Sequence, residues 1–321
     1  TVLNAAMMLI LVTCVVSSLV TERTAGRIAV SAVAENEEDH SSRDRILIAL
    51  ANPETVDPLV NVALMLRTPK SPTPLTALNV VLENNPSARE NGLKQLERAV
   101  HIAAAANVKL ITRSRWSVNV VSGISHTMKE VDATDLLIGL HQKSRLTEAF
   151  YGKLSTDLLA AVEKQVFIYR AVIPVNTVNR LHLLIPRKAE FEPGFHLWAD
   201  RVALLAAQIS CRVEAYGGRG TLAALKEYWE KRKYSTEAGW HVYNEWHDML
   251  SIAHETRQDH MIIFVMARRG TLSRHNYMER LPEQIERYFS LRNILLLFPL
   301  QHATGQASTS ALRAGVPVKV R

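Results

Sequence analysis

Short apolar runs of strand length recur along this chain in two series of five. The first series is ILIAL (46–50), LTALNVVL (75–82), VKLIT (108–112), DLLIGL (135–140) and QVFIYR (165–170). The second is LHLLIP (181–186), CRVEAY (211–216), WHVYNEW (240–246), HMIIFVMA (260–267) and NILLLF (293–298). Segments of helical period separate them; between Asn91 and Ala106, for example, Leu93, Leu96, Val100 and Ala103 fall on one face. Continuous apolar strands between amphipathic helices require a parallel sheet covered on both sides. Corresponding runs lie roughly 125 to 135 residues apart, a period too long for a solenoid and suited to duplication of a whole domain. The expected fold class is therefore α/β, with two tandem doubly wound parallel-sheet domains at 43–173 and 177–301. Ligands of such sheets bind at the carboxyl ends of the strands, which directs attention to 139–153 and 268–274.

Ahead of the first series, Val2 to Val20 reads VLNAAMMLILVTCVVSSLV, without charge, Pro or Gly. A hydrocarbon layer about 30 Å thick needs about 20 residues of helix, so this run has spanning length. Arg23 and Arg27 follow it and no cation precedes it, which places the downstream side in the cytoplasm. A secretory leader carries its positive charge before the apolar run, the reverse of this order. Residues 1–22 are thus expected to end a transmembrane region of a longer protein, 23–42 to form a linker, and 302–321 to be a mobile tail. No Asp, Glu, Lys, Arg or His lies within 2–20, so this segment offers no ion or proton relay.

The formal net charge of +7 raises nucleic acid as a partner, but no dense Lys/Arg run is interleaved with aromatics, and nucleic acid is not expected. Acidic membrane headgroups suit the charge better, with Lys231, Arg232 and Lys233 as the nearest approach to a basic patch. Cys14 and Cys211 have neither disulfide nor metal spacing. Gly152-Lys153 lacks the rest of a P-loop, since Thr147 stands where a glycine is needed and Leu154 where a hydroxyl is needed. His254-Glu255 lacks the second histidine of a zinc-protease helix, because residue 258 is Gln. His241, His247, His254 and His260 are evenly spaced but fall on a strand, a helix and the next strand, so a shared metal is not expected. Tyr228, Trp229, Tyr234, Trp240, Tyr243 and Trp246 are expected to pack the helices of the second half onto its sheet.

The fourth run of the first series continues into Gly139-Leu-His141-Gln142 and then Gly152-Lys153-Leu-Ser155. This resembles the universal stress protein family, in whose nucleotide-binding members spaced glycines and a hydroxyl residue surround the phosphates. Glycines let backbone N–H groups approach an anion closely. Gly139 and Gly152 match that pattern, Gln142 replaces a glycine and Lys153 the hydroxyl, and Ala51 stands where the family's first strand ends in Asp. The resemblance implies a degenerate ligand site at Gly139, His141, Gln142, Gly152, Lys153 and Ser155, with ATP or another nucleotide as the conceivable cofactor. A second turn, Arg268, Arg269, Gly270 and Arg274, takes the corresponding place in the other half.

Read with the apolar N-terminus, TCVVSSLVTERTAGRIA (13–29) resembles the end of a bacterial cation/proton antiporter of the sodium/proton exchanger type. That resemblance implies a non-enzymatic cytoplasmic regulatory module at the inner membrane. Its partners would be its own transporter domain and a second copy in a homodimer. The alternative is a membrane-anchored nucleotide-binding stress protein.

Overall fold

The computed structural model describes residues 13–14, 44–82, 86–140, 152–243 and 249–301. The chain divides into two compact units, Thr1–Arg43 and Asp44–Arg321. In the first unit Thr13 and Cys14 are helical and exposed. The rest of the apolar run 2–20, the linker 23–42 and the tail 302–321 lie outside the described residues, as does Trp246. Among the described residues no helix is long and apolar enough to cross a membrane.

From Asp44 onward strands and helices alternate. The first half contains β1 (Ile46–Ala49), α1 (Val56–Leu66), β2 (Leu75–Leu82), α2 (Pro86–Ala105), β3 (Leu110–Ser117), α3 (Val120–Glu130), β4 (Asp135–Gly139), α4 (Lys153–Ala161) and β5 (Gln165–Arg170). The second contains β6 (Arg180–Leu184), α5 (Phe195–Gln208), β7 (Arg212–Gly217), α6 (Arg219–Arg232), β8 (Ala238–Val242), α7 (Met249–Glu255), β9 (His260–Val265), α8 (Leu281–Phe289) and β10 (Asn293–Phe298).

All ten strands form one sheet in the order β3-β2-β1-β4-β5-β10-β9-β6-β7-β8. Every neighbouring pair is parallel except β5 with β10, where the two halves meet in antiparallel register centred on Ile168 opposite Leu296. The second half therefore repeats the strand order of the first in the opposite sense, as a local two-fold axis through that central pair requires. Each half reverses its winding at a switch point, between β1 and β4 in the first and between β6 and β9 in the second.

The central strands are apolar on both faces because both faces are covered. On one side α1, α2, α5 and α6 enclose Ile46, Ile48, Leu137, Phe167, Leu183 and Val213. On the other, α3, α4, α7 and α8 enclose Leu47, Leu136, Ile168, Leu184, Ile262 and Phe264. α1 buries Val56, Leu59, Val60, Ala63 and Leu66, the spacing of one helical face, and packs against α5 of the other half. α8 does the same with Leu281, Ile285 and Phe289. The aromatic cluster of the second half divides between the layers. Tyr228, Trp229, Tyr234 and Trp240 pack with α6, whereas Tyr243 joins the opposite core. The division follows from β-strand alternation between Trp240 and Tyr243, an odd number of residues apart.

Buried polar groups tie the halves together. Arg201 on α5 lies 2.5 Å from both Asp44 and Asp135 of the first half and donates to the Leu66 carbonyl at 3.0 Å. Burial opposes the charge on Arg201, but the carboxylates of Asp135 and Asp44 more than offset it and hold the guanidinium above its ordinary pKa. Asp44 also accepts the Thr68 N–H at 2.6 Å, and Gln165 donates to Asp135 at 2.8 Å. Asn293, at the start of β10, accepts the N–H groups of Val172 and Ile173 just beyond β5.

Candidate functional site

At the first switch point the chain leaves β1 through Asn52-Pro53-Glu54-Thr55. Asn52 accepts the Glu54 N–H at 3.0 Å, and Pro53 begins a 3-10 turn that leads into α1. This turn brings Thr55 against the end of β4. A Cβ on Gly139 would stand 2.9 Å from the Leu59 Cδ1 and 3.0 Å from the Thr55 Cβ, so glycine is what lets strand and helix meet there.

Gly139 pairs with Tyr169 on β5. Beside them lies a cavity of about 110 Å³, lined by Glu54, Thr55, Pro58, Leu59, Leu140, Tyr169 and Ala171. Tyr169 is 2% exposed, and among the described residues its hydroxyl has no hydrogen-bond partner. Burial raises the pKa of this phenol well above its ordinary value, so it stays a neutral donor. The cavity thus combines an apolar floor with one enclosed O–H and the acidic and hydroxyl groups of Glu54 and Thr55 at the start of α1.

His141 and Gln142 lie outside the described residues. Gly152 occupies the N-cap position of α4 and supplies no side-chain cap. Lys153 and Leu154 on the first turn are exposed and Ser155 is buried. Because α4 crosses back from the end of β4 to the start of β5, its N–H groups open at the carboxyl ends of the strands. A helix start whose N-cap residue carries no side chain leaves room for an anion.

The second turn is divided in its roles. Arg269 and Gly270 are exposed, and Gly270 has φ +84, the left-handed conformation that favours glycine. Ser273 of the same turn donates its N–H to Glu192 at 2.9 Å, and Arg274 is half-buried. Arg268 instead turns inward. It donates to the carbonyls of Leu159, Val162 and Lys164 at the end of α4, the Leu159 contact at 3.1 Å and the Lys164 contact at 2.5 Å. Burial lowers its pKa to about 10, and Glu163 acts in the opposite direction. Arg268 is therefore placed as a cap on the other half's helix. Arg170 of β5 makes the reciprocal contact, donating to the Phe289 and Ser290 carbonyls at the end of α8 and lying 3.5 Å from Glu286. Two arginines from unrelated positions thus do equivalent work across the local two-fold axis.

Sequence patterning did not single out Tyr169, Arg170, Arg201 or Asn293. The one available signal was a polar residue inside or at the end of an apolar run, which QVFIYR and NILLLF both contain. It also did not bring His182 together with His241 and His260; the sheet does, on β6, β8 and β9. Among the described residues no group of three or more His, Cys, Asp or Glu side chains could hold a metal ion.

No family model and no curated protein matches this sequence. Solved structures do. A universal stress protein from Archaeoglobus fulgidus is 10% identical, and the likeness covers 80% of this chain and 96% of that one with a TM-score of 0.52. The cytoplasmic domain of a prokaryotic cation chloride cotransporter is also 10% identical, covering 84% of this chain and 99% of that one with a TM-score of 0.52. At such identities the likeness is one of architecture, and this chain carries a universal-stress-protein-like α/β fold.

Proposed function

We propose that residues from Asp44 onward form a cytoplasmic regulatory module of a cation/proton antiporter, with ion exchange carried by membrane helices outside this sequence. The observation that carries this reading is architectural: the fold is similar to that of the cytoplasmic domain of a prokaryotic cation chloride cotransporter, over 99% of that chain. The apolar run 2–20, followed by Arg23 and Arg27, supports attachment to a membrane region directly upstream. The choice of a cation/proton antiporter rests on the resemblance in residues 13–29. Regulation in this scheme is thermodynamic: an effector that prefers one arrangement of the module biases the transporter joined to it. Deleting 43–321 from the full-length transporter and measuring exchange against pH and cation concentration tests the idea. An unaltered profile would sink it.

A second reading is favoured by the start of α4, where Gly152 brings no side-chain cap and Lys153 places an exposed cation at the strand ends. A nucleotide bound there would make the first half the sensor. Calorimetric titration of the full chain with ATP and ADP should give saturable heat that Gly152→Val abolishes; no heat for either nucleotide removes this reading.

A further inference from the structure

The run LHLLIP places a histidine in the middle of an otherwise apolar strand. His182 on β6 pairs with Ile262, where the corresponding residue of the first half is Leu47, paired with Leu136. It is 1% exposed. Its Nε2 lies 2.9 Å from Nδ1 of His260 on β9, and that same Nδ1 accepts the backbone N–H of Arg257 at 3.2 Å. Since His260 Nδ1 accepts that N–H, the proton between the rings belongs to His182 Nε2. His182 Nδ1 is left as an enclosed lone pair without a partner among the described residues. A second proton on this ring would create an N–H that no described residue receives.

The row continues across the sheet. Tyr216 on β7 stacks on His182 at 5.8 Å and on His241 of β8 at 4.8 Å. The Tyr216 hydroxyl donates to Glu255 of α7 at 3.1 Å, and His241 Nε2 lies 2.8 Å from Glu214. Arg292, ahead of β10, donates to the Thr256 carbonyl at 2.8 Å and the Ala253 carbonyl at 3.4 Å. The end of α7 and the turn after it are thus fastened by Tyr216, Arg292 and the His260–Arg257 bond. The charged and titrating groups around the two imidazoles are Arg180 on β6, Arg212 and Glu214 on β7, and His241 on β8. Glu255, Arg257 and Asp259 flank the α7 turn, and Arg292 completes the set. Cations outnumber the carboxylates that approach His182 itself.

We infer that the neutral His182–His260 pair is an acid-released latch that holds α7 and the turn through His260 onto the sheet. Burial pushes His182 down to about 3, with His260 and Arg180 adding to the shift; burial likewise lowers His260, against the pull of Asp259. The closed arrangement therefore holds the neutral rings, and opening restores an ordinary imidazole of pKa about 6.5. Stability of the latch is full above pH about 6.5 and declines as pH falls from there toward about 3, by about tenfold in the opening equilibrium per pH unit for each proton taken up. The inference stands whether or not the module regulates a transporter.

Hydrogen exchange read by mass spectrometry on the full chain, corrected for intrinsic rates, tests it. Peptides spanning 249–260 should lose protection about tenfold per unit between pH 6 and 4.5, while those spanning α1 keep theirs. His182→Gln preserves a donor toward His260 but removes one titrating group, and should flatten the profile. His182→Phe does so by a second route, and the wild-type profile decides the matter even if neither variant folds. Protection at 249–260 that ignores pH, or that falls in step with α1, overturns the latch.

Discussion

The two switch points are built on one frame and used differently. In the first half Gly139 pairs with Tyr169, and the missing side chain admits Thr55 and leaves a cavity beside an enclosed hydroxyl. In the second half the matching pair is Val265 with Leu297, both buried and apolar, and the turn that follows sends Arg268 back into the first half's helix. Duplication supplied two crevices of equal topology. At one a glycine leaves a cavity beside the strand ends, and at the other apolar side chains take that place and the basic turn is recruited to the joint. A ligand acting on this molecule is thus expected at the first crevice, where its effect can pass to the second half through the shared sheet and the buried arginines.

The largest test of that comparison is at the joint. Arg201→Met strands Asp44 and Asp135 without a counter-charge, and chemical denaturation should show a loss of about 3–5 kcal/mol. Recovery of most of that loss in the Asp44→Asn, Asp135→Asn, Arg201→Met triple variant would attribute it to the stranded charges. Next, Arg268→Met leaves the carbonyls at the end of α4 unpaired and should cost about 2–3 kcal/mol by the same measurement. Arg170→Met should cost less, because Glu286, its ion-pair partner, is partly exposed to water. Equal losses would mean that the two caps contribute alike despite their different settings.

Making the first crevice resemble the second sharpens the contrast. Gly139→Val drives side-chain atoms into Thr55 and Leu59 and should destabilise by about 1–3 kcal/mol while closing the strand-end crevice to ligands. Differential scanning fluorimetry with and without ATP would read both effects. The smallest change is expected from Tyr169→Phe. Its hydroxyl has no partner among the described residues, so stability should shift by less than about 1 kcal/mol. A loss well above that figure would mean that the hydroxyl is already engaged in the cavity by a tightly held water or ligand.

Much of the architecture was readable from patterning. Each of the ten apolar runs contains or overlaps an observed strand, with β3 and β8 displaced by a few residues. Those two are the sheet's edges, where one-sided hydrogen bonding and exposure weaken the apolar signal: β3 is LITRSRWS and is largely solvent-facing. The site was less readable. Gly139 and Gly152 stood out because glycine has few reasons to follow a strand or precede a helix. Tyr169 and Arg170 looked like the ordinary polar end of a strand, and Arg201 like any charge on an amphipathic helix.

The sequence by itself determined the α/β alternation, the duplication and the strands that must be buried on both faces, because these depend on local period and on apolar content. Only the tertiary structure decided that the halves share one continuous sheet through β5 and β10. It also decided that Arg170, Arg201 and Arg268 serve the opposite half, and that His182 meets His260. Those pairings join residues at least 66 positions apart. Their energies depend on distance, burial and the lack of competing water, none of which leaves a periodic trace in the chain.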